Sequence, residues 1–154
     1  MPTGDVNYYN NLARSSANAG DYDGAIGHFT KAIELAPNNA EYRFNRGWNC
    51  MKVQRFEMAI EDFSVVLRAN PIDDEAYHYR ATAYQNTGAF SEALNDMNEA
   101  IRINPNKSDY YLTRELKVLK KNKLKQDKSR KSCKMWLRQH KSTLGGKHHV
   151  STYQ

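Results

Sequence analysis

The sequence is poor in cysteine and has no long apolar run. Its 154 residues include two cysteines, Cys50 and Cys133, which form neither a CxxC pair nor a disulfide framework. No stretch approaches the ~20 apolar residues that a membrane-spanning helix needs. The first residues, MPTGDVNYYNN, lack the basic and apolar regions of a signal peptide. We therefore expect a reducing compartment, the cytoplasm with the nucleus as an alternative, and no membrane partner.

Motifs for catalysis and metal binding are also missing. The chain has no phosphate-binding glycine loop, no GxSxG or HExxH sequence and no dinucleotide fingerprint. None of its histidines stands at ligand spacing from Cys, Asp or Glu in a predicted helix, and the pair His148 and His149 is typical of a flexible polar end. These absences predict a protein with no catalytic residues, no cofactor and no metal site.

Proline is scarce, but the prolines that are present are regularly spaced. Three of the four, Pro37, Pro71 and Pro105, lie 34 residues apart. A period of this length is typical of an array of helix–turn–helix units. Four further columns repeat with the same step: Ala25, Ala59 and Ala93; Tyr22, Phe56 and Phe90; Phe29, Phe63 and Met97; Ile26, Ile60 and Leu94.

The turn inside each repeat carries its own signal. Gly20 and Gly88 suit the positive φ that ends a helix, whereas repeat two has Gln54 at that position, which predicts a slightly strained cap. A proline stops the second helix of each repeat. The period divides the first domain, residues 1–107, into repeats 6–39, 40–73 and 74–107.

The columns of residues 6–107 resemble those of the tetratricopeptide repeat (TPR) family. The small-residue, alanine, aromatic and proline columns all match. The family's Trp column instead holds Tyr9, Arg43 and Tyr77, and its Leu column holds Leu12, Arg46 and Arg80. The small residues Ala13, Gly47 and Ala81 fit where helices cross closely. The resemblance implies an all-α, right-handed solenoid of three TPR units, with a capping helix over residues 108–125.

The charge is divided unevenly along the chain. Residues 1–106 carry nine Lys/Arg and fourteen Asp/Glu, a net charge of −5. Residues 107–154 carry fourteen Lys/Arg and three Asp/Glu, a net charge of +11. We expect residues 126–154 to be a basic, flexible extension that binds RNA, an acidic protein surface or the chain's own acidic body. The tail contacts would be Lys120, Lys121, Lys123, Lys125, Lys128, Arg130, Lys131, Lys134 and Arg138.

In TPR proteins the first helix of each repeat lines a concave groove, which the resemblance makes the candidate peptide site. The asparagines there each offer a donor and an acceptor to a peptide backbone. Trp48 stands where a groove residue is expected and is the strongest candidate anchor, although packing against Phe44 or a neighbouring helix would also explain it. The predicted groove residues are Asn7, Asn10, Asn11, Arg14, Phe44, Asn45, Trp48, Lys52, His78, Tyr79 and Asn86.

TPR co-chaperones hold the C-terminal carboxylate of heat-shock chaperones with a clamp of Lys, Asn and Arg residues. The five clamp positions here hold Asn10, Arg14, Asn45, Glu75 and Tyr79. Only Asn45 matches well, and Glu75 would repel a carboxylate. We therefore predict a protein partner in the groove that is not an EEVD-type chaperone peptide.

Together these features predict a non-enzymatic protein–protein interaction module, a small adaptor or a subunit of a larger assembly. Phe44, Trp48 and Tyr79 would anchor a captured peptide or helix. The alternative is a protein associated with nucleic acid or ribonucleoprotein, which binds mainly through its basic extension.

Overall fold

Six α-helices make up the repeat region. The computed structural model describes residues 4–111, 113–114, 126–127, 130–132 and 134–135, and no strand occurs among them. The predicted all-α fold is confirmed. The helices are α1 (Val6–Asn18), α2 (Tyr22–Leu35), α3 (Ala40–Lys52), α4 (Phe56–Ala69), α5 (Asp74–Thr87) and α6 (Phe90–Ile103).

The helices stack in chain order. Within the repeats, α1 packs on α2, α3 on α4 and α5 on α6; between repeats, α2 packs on α3 and α4 on α5. The three pairs therefore form the predicted solenoid of helix–turn–helix units. Residues 1–117 form one compact unit and residues 118–154 another. Helical residues continue at 108–111 and 113–114, where the predicted capping helix begins; residues 112 and 115–125 of that prediction lie outside the described residues.

Polar side chains cap the first helix of every repeat. Asp5, Asn39 and Asp73 stand 34 residues apart, and each accepts a hydrogen bond at 2.8 or 2.9 Å from a backbone N–H of the first turn. The first N–H groups of a helix have no partner within the helix, so such a cap stabilises it by about 1 kcal/mol. The caps fix where each repeat begins.

The turns between the paired helices adopt the left-handed backbone that the sequence predicts. Gly20 has φ 80° and Gly88 has φ 85°, and Gln54 occupies the same position in repeat two with φ 61°. A side chain with a Cβ is disfavoured in this region, which confirms the prediction of a strained cap at Gln54.

The small-residue column lies where the helices cross. Ala13 and Ala81 are fully buried. A Cβ added to Gly47 would lie 3.1 Å from Cζ of Phe63, a side chain that is itself fully buried. Only a small residue fits at these positions, as the pattern predicted.

The arginines in the Leu column form buried ion pairs that the sequence analysis did not anticipate. Arg46 Nε and Nη2 bind the two carboxylate oxygens of Asp62 at 2.8 Å each, and Nη1 donates to Oγ1 of Thr30 in the preceding repeat at 3.1 Å. The hydrogen bonds that Arg46 donates to Asp62 raise the pKa of Arg46 above its ordinary value, against the effect of burial.

Repeat three contains the same arrangement. Arg80 binds Asp96 through two bonds of 2.7 and 2.8 Å, and it donates to Oγ of Ser64 at 3.0 Å. Each of these guanidinium groups therefore joins its own repeat to the one before it.

Candidate functional site: the groove of the first helices

Cavities lie along the first helices of the repeats. One of about 260 Å³ opens between α1 and α3, and one of about 300 Å³ lies between the start of α3 and the start of α5. A third, of about 250 Å³, lies between α5 and residues 107–110. The first helices thus present a segmented surface in which each cavity can hold one side chain of a partner.

The predicted groove residues of α1 are mostly exposed. Asn7, Asn11 and Arg14 face solvent, while Asn10 is half-buried. Oδ1 of Asn10 is buried and accepts no hydrogen bond within the described chain. Arg14 lines the cavity between α1 and α3 and lies 4.0 Å from a carboxylate oxygen of Glu41.

Trp48 both packs on a helix and faces a cavity. Its ring meets Tyr22 of α2 edge to face, with centroids 6.2 Å apart, and lines the cavity between α1 and α3 together with Asn45. Nζ of Lys52 lies 4.5 Å from the centre of the Trp48 ring, within cation–π range. The two interpretations that the sequence offered for Trp48 are therefore compatible.

Phe44 and Tyr79 contact the hydrophobic core. Phe44 meets the buried Phe63 edge to face at 5.5 Å, and Tyr79 stacks on Phe63 at 5.8 Å. Both side chains remain half-buried, and each lines a cavity of the groove. Packing against Phe63 therefore holds both rings in place beside the cavities.

The remaining predicted groove residues lie on α5. His78 stacks on Tyr110 with centroids 4.9 Å apart. Asn86 is exposed, and its Nδ2 donates to the backbone oxygen of Thr82 at 2.8 Å.

A polar cluster that was not predicted from the sequence joins the start of α5 to residues 104–110. Nζ of Lys107 donates to Glu75 at 2.8 Å, while Tyr110 Oη and Asn104 Nδ2 donate to Asp74 Oδ2 at 2.8 and 3.0 Å. In the sequence, the feature that could have indicated this cluster is the position of Lys107 at the end of repeat three. The cluster holds the helical residues 108–110 against the start of α5.

The titration behaviour of this cluster follows from its contacts. Burial alone would raise the pKa of Asp74, but the hydrogen bonds from Tyr110 and Asn104 and the charge of Lys107 bring it below its ordinary value of 3.8. Burial raises the pKa of Tyr110 to about 12, and the hydrogen bond to Asp74 acts in the same direction. The hydrogen bond to Glu75 raises the pKa of Lys107.

The tail residues are only partly described. Arg130, Lys131 and Lys134 are helical and exposed. The other predicted tail contacts, Lys120, Lys121, Lys123, Lys125, Lys128 and Arg138, lie outside the described residues.

The described part of the chain offers neither a metal-binding cluster nor a membrane-spanning helix. It contains no group of three or more His, Cys, Asp or Glu side chains that could hold a metal ion. No helix in it combines the length and the apolar character that crossing a membrane requires.

An asparagine that the sequence analysis passed over completes the first cavity. Asn49 forms part of its floor and is 2% exposed. The equivalent residues of repeats one and three are the small residues Ser15 and Ala83. The amide at position 49 was therefore the feature of the sequence that could have indicated a special role for this residue.

A stack of helix pairs with a segmented groove defines a helical-repeat protein, and comparison with known sequences gives the family. Residues 6–39 and 74–107 match the model of the tetratricopeptide repeat family. Repeats one and three are therefore tetratricopeptide repeats, as their columns predicted.

The curated relatives are longer proteins. Hsc70-interacting protein 1 of Drosophila melanogaster is 32% identical over 111 residues, which are 70% of this chain and 29% of the relative. Serine/threonine-protein phosphatase 5 of Rattus norvegicus is 31% identical over 91 residues, 59% of this chain and 18% of the relative. The chain thus spans less than a third of either protein.

Solved structures share the fold at low identity. The first TPR of Spaghetti (RPAP3), bound to the HSP90 peptide SRMEEVD, has a TM-score of 0.70 and 21% identity and covers 75% of this chain and 91% of that chain. MamA from Desulfovibrio magneticus RS-1 has a TM-score of 0.75 and 23% identity, covering 88% and 76%. At these identities the likeness concerns the fold alone.

Proposed function

We propose that this chain is a non-enzymatic adaptor or assembly subunit that captures an extended peptide or a helix in the groove of α1, α3 and α5. The observation that carries the proposal is Trp48, which lines a cavity of about 260 Å³ between two repeats. An aromatic ring beside a cavity is the usual form of an interface anchor.

The test is a peptide selected from a random display library on the immobilised full chain. Trp48→Ala should weaken binding of such a peptide about thirty-fold, equivalent to about 2 kcal/mol, because the anchor is lost. Isothermal titration calorimetry gives the affinities, and circular dichroism confirms that the variant folds.

The matched control is Trp136→Ala, which removes the other of the two tryptophans, the one outside the repeats. It should leave the affinity unchanged. A peptide that is lost with Trp136→Ala but kept with Trp48→Ala would contradict groove binding and favour binding through the extension.

The partner is proposed not to be an EEVD-type chaperone peptide, although two relatives are named for or bound to chaperone components. Three clamp positions argue against it. Glu75 pairs with Lys107, Arg14 lies beside Glu41, and Tyr79 carries no charge. Titration with the peptide SRMEEVD tests this directly, and micromolar affinity would refute it.

The basic extension supports a second contact, with RNA or an acidic protein surface. The net charge of +11 over residues 107–154, the part of the chain that includes the extension, is the observation that favours it. Replacing Lys128, Arg130, Lys131 and Lys134 with glutamine should weaken RNA binding and reduce its salt dependence, because fewer counterions are released. Binding to single-stranded RNA that does not change between low and high salt would remove this second contact from the proposal.

A further inference from the structure

The cavity of about 300 Å³ between the starts of α3 and α5, called here the α3–α5 cavity, has apolar walls and an acidic rim. Its walls are formed by Ala40, Phe44 and Val66. The charged residues of its lining are all carboxylates: Glu41, Asp73 and Glu75. Among the described residues that line it there is no Lys, Arg or His. Apolar walls below an acidic rim suit a long side chain with a basic head.

The carboxylates of the rim are accessible to a ligand. The side chains of Glu41 and Glu75 are 64% and 55% exposed. Asp73 is half-buried, and its Oδ1 accepts a hydrogen bond from the backbone N–H of Ala76 at 2.9 Å. Phe44 and Ala40 are also half-buried, so each keeps part of its surface open. A ligand can therefore reach both glutamates and the apolar walls without any movement of the helices.

Two cations outside the cavity neutralise the rim only in part. Nη1 of Arg14 lies 4.0 Å from a carboxylate oxygen of Glu41, which is the outer limit of an ion pair. Nζ of Lys107 lies 2.8 Å from Glu75, but it is shared with Asp74, whose carboxylate lies 3.5 Å away. These two cations meet three carboxylates, so the rim retains negative charge that a basic ligand would complement.

The next cavity along the groove, between α5 and residues 107–110, shows the kind of group that such a rim binds. Its charged lining residues are the 34-residue equivalents of the three carboxylates: Glu75 for Glu41, Lys107 for Asp73, and Asp109 for Glu75. There Nζ of Lys107 donates to Glu75 at 2.8 Å. The α3–α5 cavity has the same glutamate position, but Asp73 stands at the position of the lysine, so the cation has to come from the ligand.

We propose that the α3–α5 cavity binds a lysine or arginine side chain of the captured peptide. The methylene stem lies against Ala40 and Phe44, and the charged head donates to Glu41 and Glu75. This specificity rests on the proposed function, because it names the class of residue that the groove selects.

The rim discriminates by charge. An acidic side chain would be repelled, and a neutral one would take water from the carboxylates without pairing with them. Lysine and arginine share the chemistry that the cavity recognises, which is a cation on a long apolar stem.

The test starts from the peptides that a random display library yields on the immobilised full chain. Selection should enrich lysine or arginine at one position. A synthetic peptide with methionine there should bind the wild-type protein about fivefold more weakly, because methionine keeps an apolar stem but carries no charge. Isothermal titration calorimetry measures the difference, which should shrink in about 1 M salt, where the screening length is about 3 Å.

Two variants of the rim test the assignment. In the double variant Glu41→Gln and Glu75→Gln, the basic peptide and its methionine counterpart should differ by less than about twofold, because most of the rim charge is gone. Glu41→Gln alone keeps the contact between Glu75 and Lys107, and it should show part of the same loss. Circular dichroism melts check that each variant folds.

The matched control removes the same charge elsewhere on the chain. Glu57 and Glu92 lie in the first turns of α4 and α6, as Glu41 and Glu75 do in α3 and α5, and both are exposed. Neither residue lines the α3–α5 cavity. The double variant Glu57→Gln and Glu92→Gln should therefore keep the full fivefold preference.

The outcomes separate this proposal from the function on which it rests. Binders that depend on Trp48 but select no basic residue, or a basic preference that both double variants change equally, would overturn the basic-residue site alone. Self-association in the ultracentrifuge that only Glu41→Gln and Glu75→Gln abolish, with no basic residue in the selected peptides, would assign the cavity to a second copy of the chain and overturn the peptide site. Failure to obtain any peptide that depends on Trp48 would overturn groove capture and the basic-residue site together.

Discussion

Repeats one and two place the same two helices around the same interior position but fill it with different chemistry. Repeat one has Leu12 and His28 where repeat two has Arg46 and Asp62. In repeat two the side chain of Asp62 is fully buried and that of Arg46 is 12% exposed. The comparison shows that the geometry of the repeat sets these two positions in both repeats. Because the side chains at the two positions are in contact in repeat two, the residues there must change as a pair.

Asp62→Ala should have the largest effect on that comparison. It leaves the buried guanidinium of Arg46 without its partner, so we expect a loss of about 3–5 kcal/mol in the free energy of unfolding. Urea denaturation followed by circular dichroism measures it. The double variant Arg46→Leu and Asp62→Leu, which imitates Leu12 of repeat one, should recover most of the loss.

An exposed ion pair gives the control for this experiment. Lys31 and Glu34 lie 2.9 Å apart and both are exposed. Glu34→Ala should cost under about 0.5 kcal/mol. A loss below about 1 kcal/mol for Asp62→Ala would show that repeat two does not depend on its buried pair.

Gln54→Gly should make repeat two more like repeat one, which has Gly20 at this position. Because the backbone of Gln54 is left-handed, with φ 61°, glycine should raise the free energy of unfolding by about 1 kcal/mol. The reciprocal change, Gly88→Gln, should lower the free energy of unfolding by a similar amount, because Gly88 has φ 85°. A Cβ at Gly88 would meet no atom within 4 Å, so no steric clash should add to this loss. Equal stability of Gln54→Gly and the wild type would contradict the strain.

The smallest effect on stability is expected from a substitution of Asp74. Its column holds Val6 in repeat one and Ala40 in repeat two, so repeat three alone has a charged residue there. Because the pKa of Asp74 is lowered in the folded state, its stabilising contribution is present above its ordinary value of 3.8 and is lost as the pH falls through the lowered value. Asp74→Asn should therefore reduce stability at pH 7 and converge with the wild type in acid.

Melting temperatures between pH 2 and 7 measure this convergence. Tyr110→Phe removes one of the hydrogen bonds that lower the pKa of Asp74, so it should show part of the same change. A difference in melting temperature between Asp74→Asn and the wild type that stays constant at every pH would contradict a stabilising role for the ionised Asp74 carboxylate.

The sequence predicted the repeats because their signals are local. Prolines, capping residues and glycines act within a few residues of the chain, so a 34-residue step in them fixes where each helix begins and ends. The ion pairs escaped prediction because Arg46 and Asp62 are sixteen residues apart on different helices. From the sequence alone, an arginine in the Leu column is a departure from the family pattern. The structure explains it by showing the carboxylate with which the arginine pairs.

The candidate site divides in the same way. Its position on the first helices followed from the resemblance to TPR proteins, and Trp48 was singled out by its place in the register. Asn49 was not, because its burial and its bond to the backbone of Asn45 are set by the packing of α3 on its neighbours.

The sequence by itself indicated three repeats, the turn inside each of them and the uneven charge of the chain. These depend on neighbouring residues and on composition. The tertiary structure decided which departures are paired, how deeply Phe44 and Tyr79 are packed against the core, and where cavities open along the first helices. Those properties depend on groups that meet only when one helix packs against another.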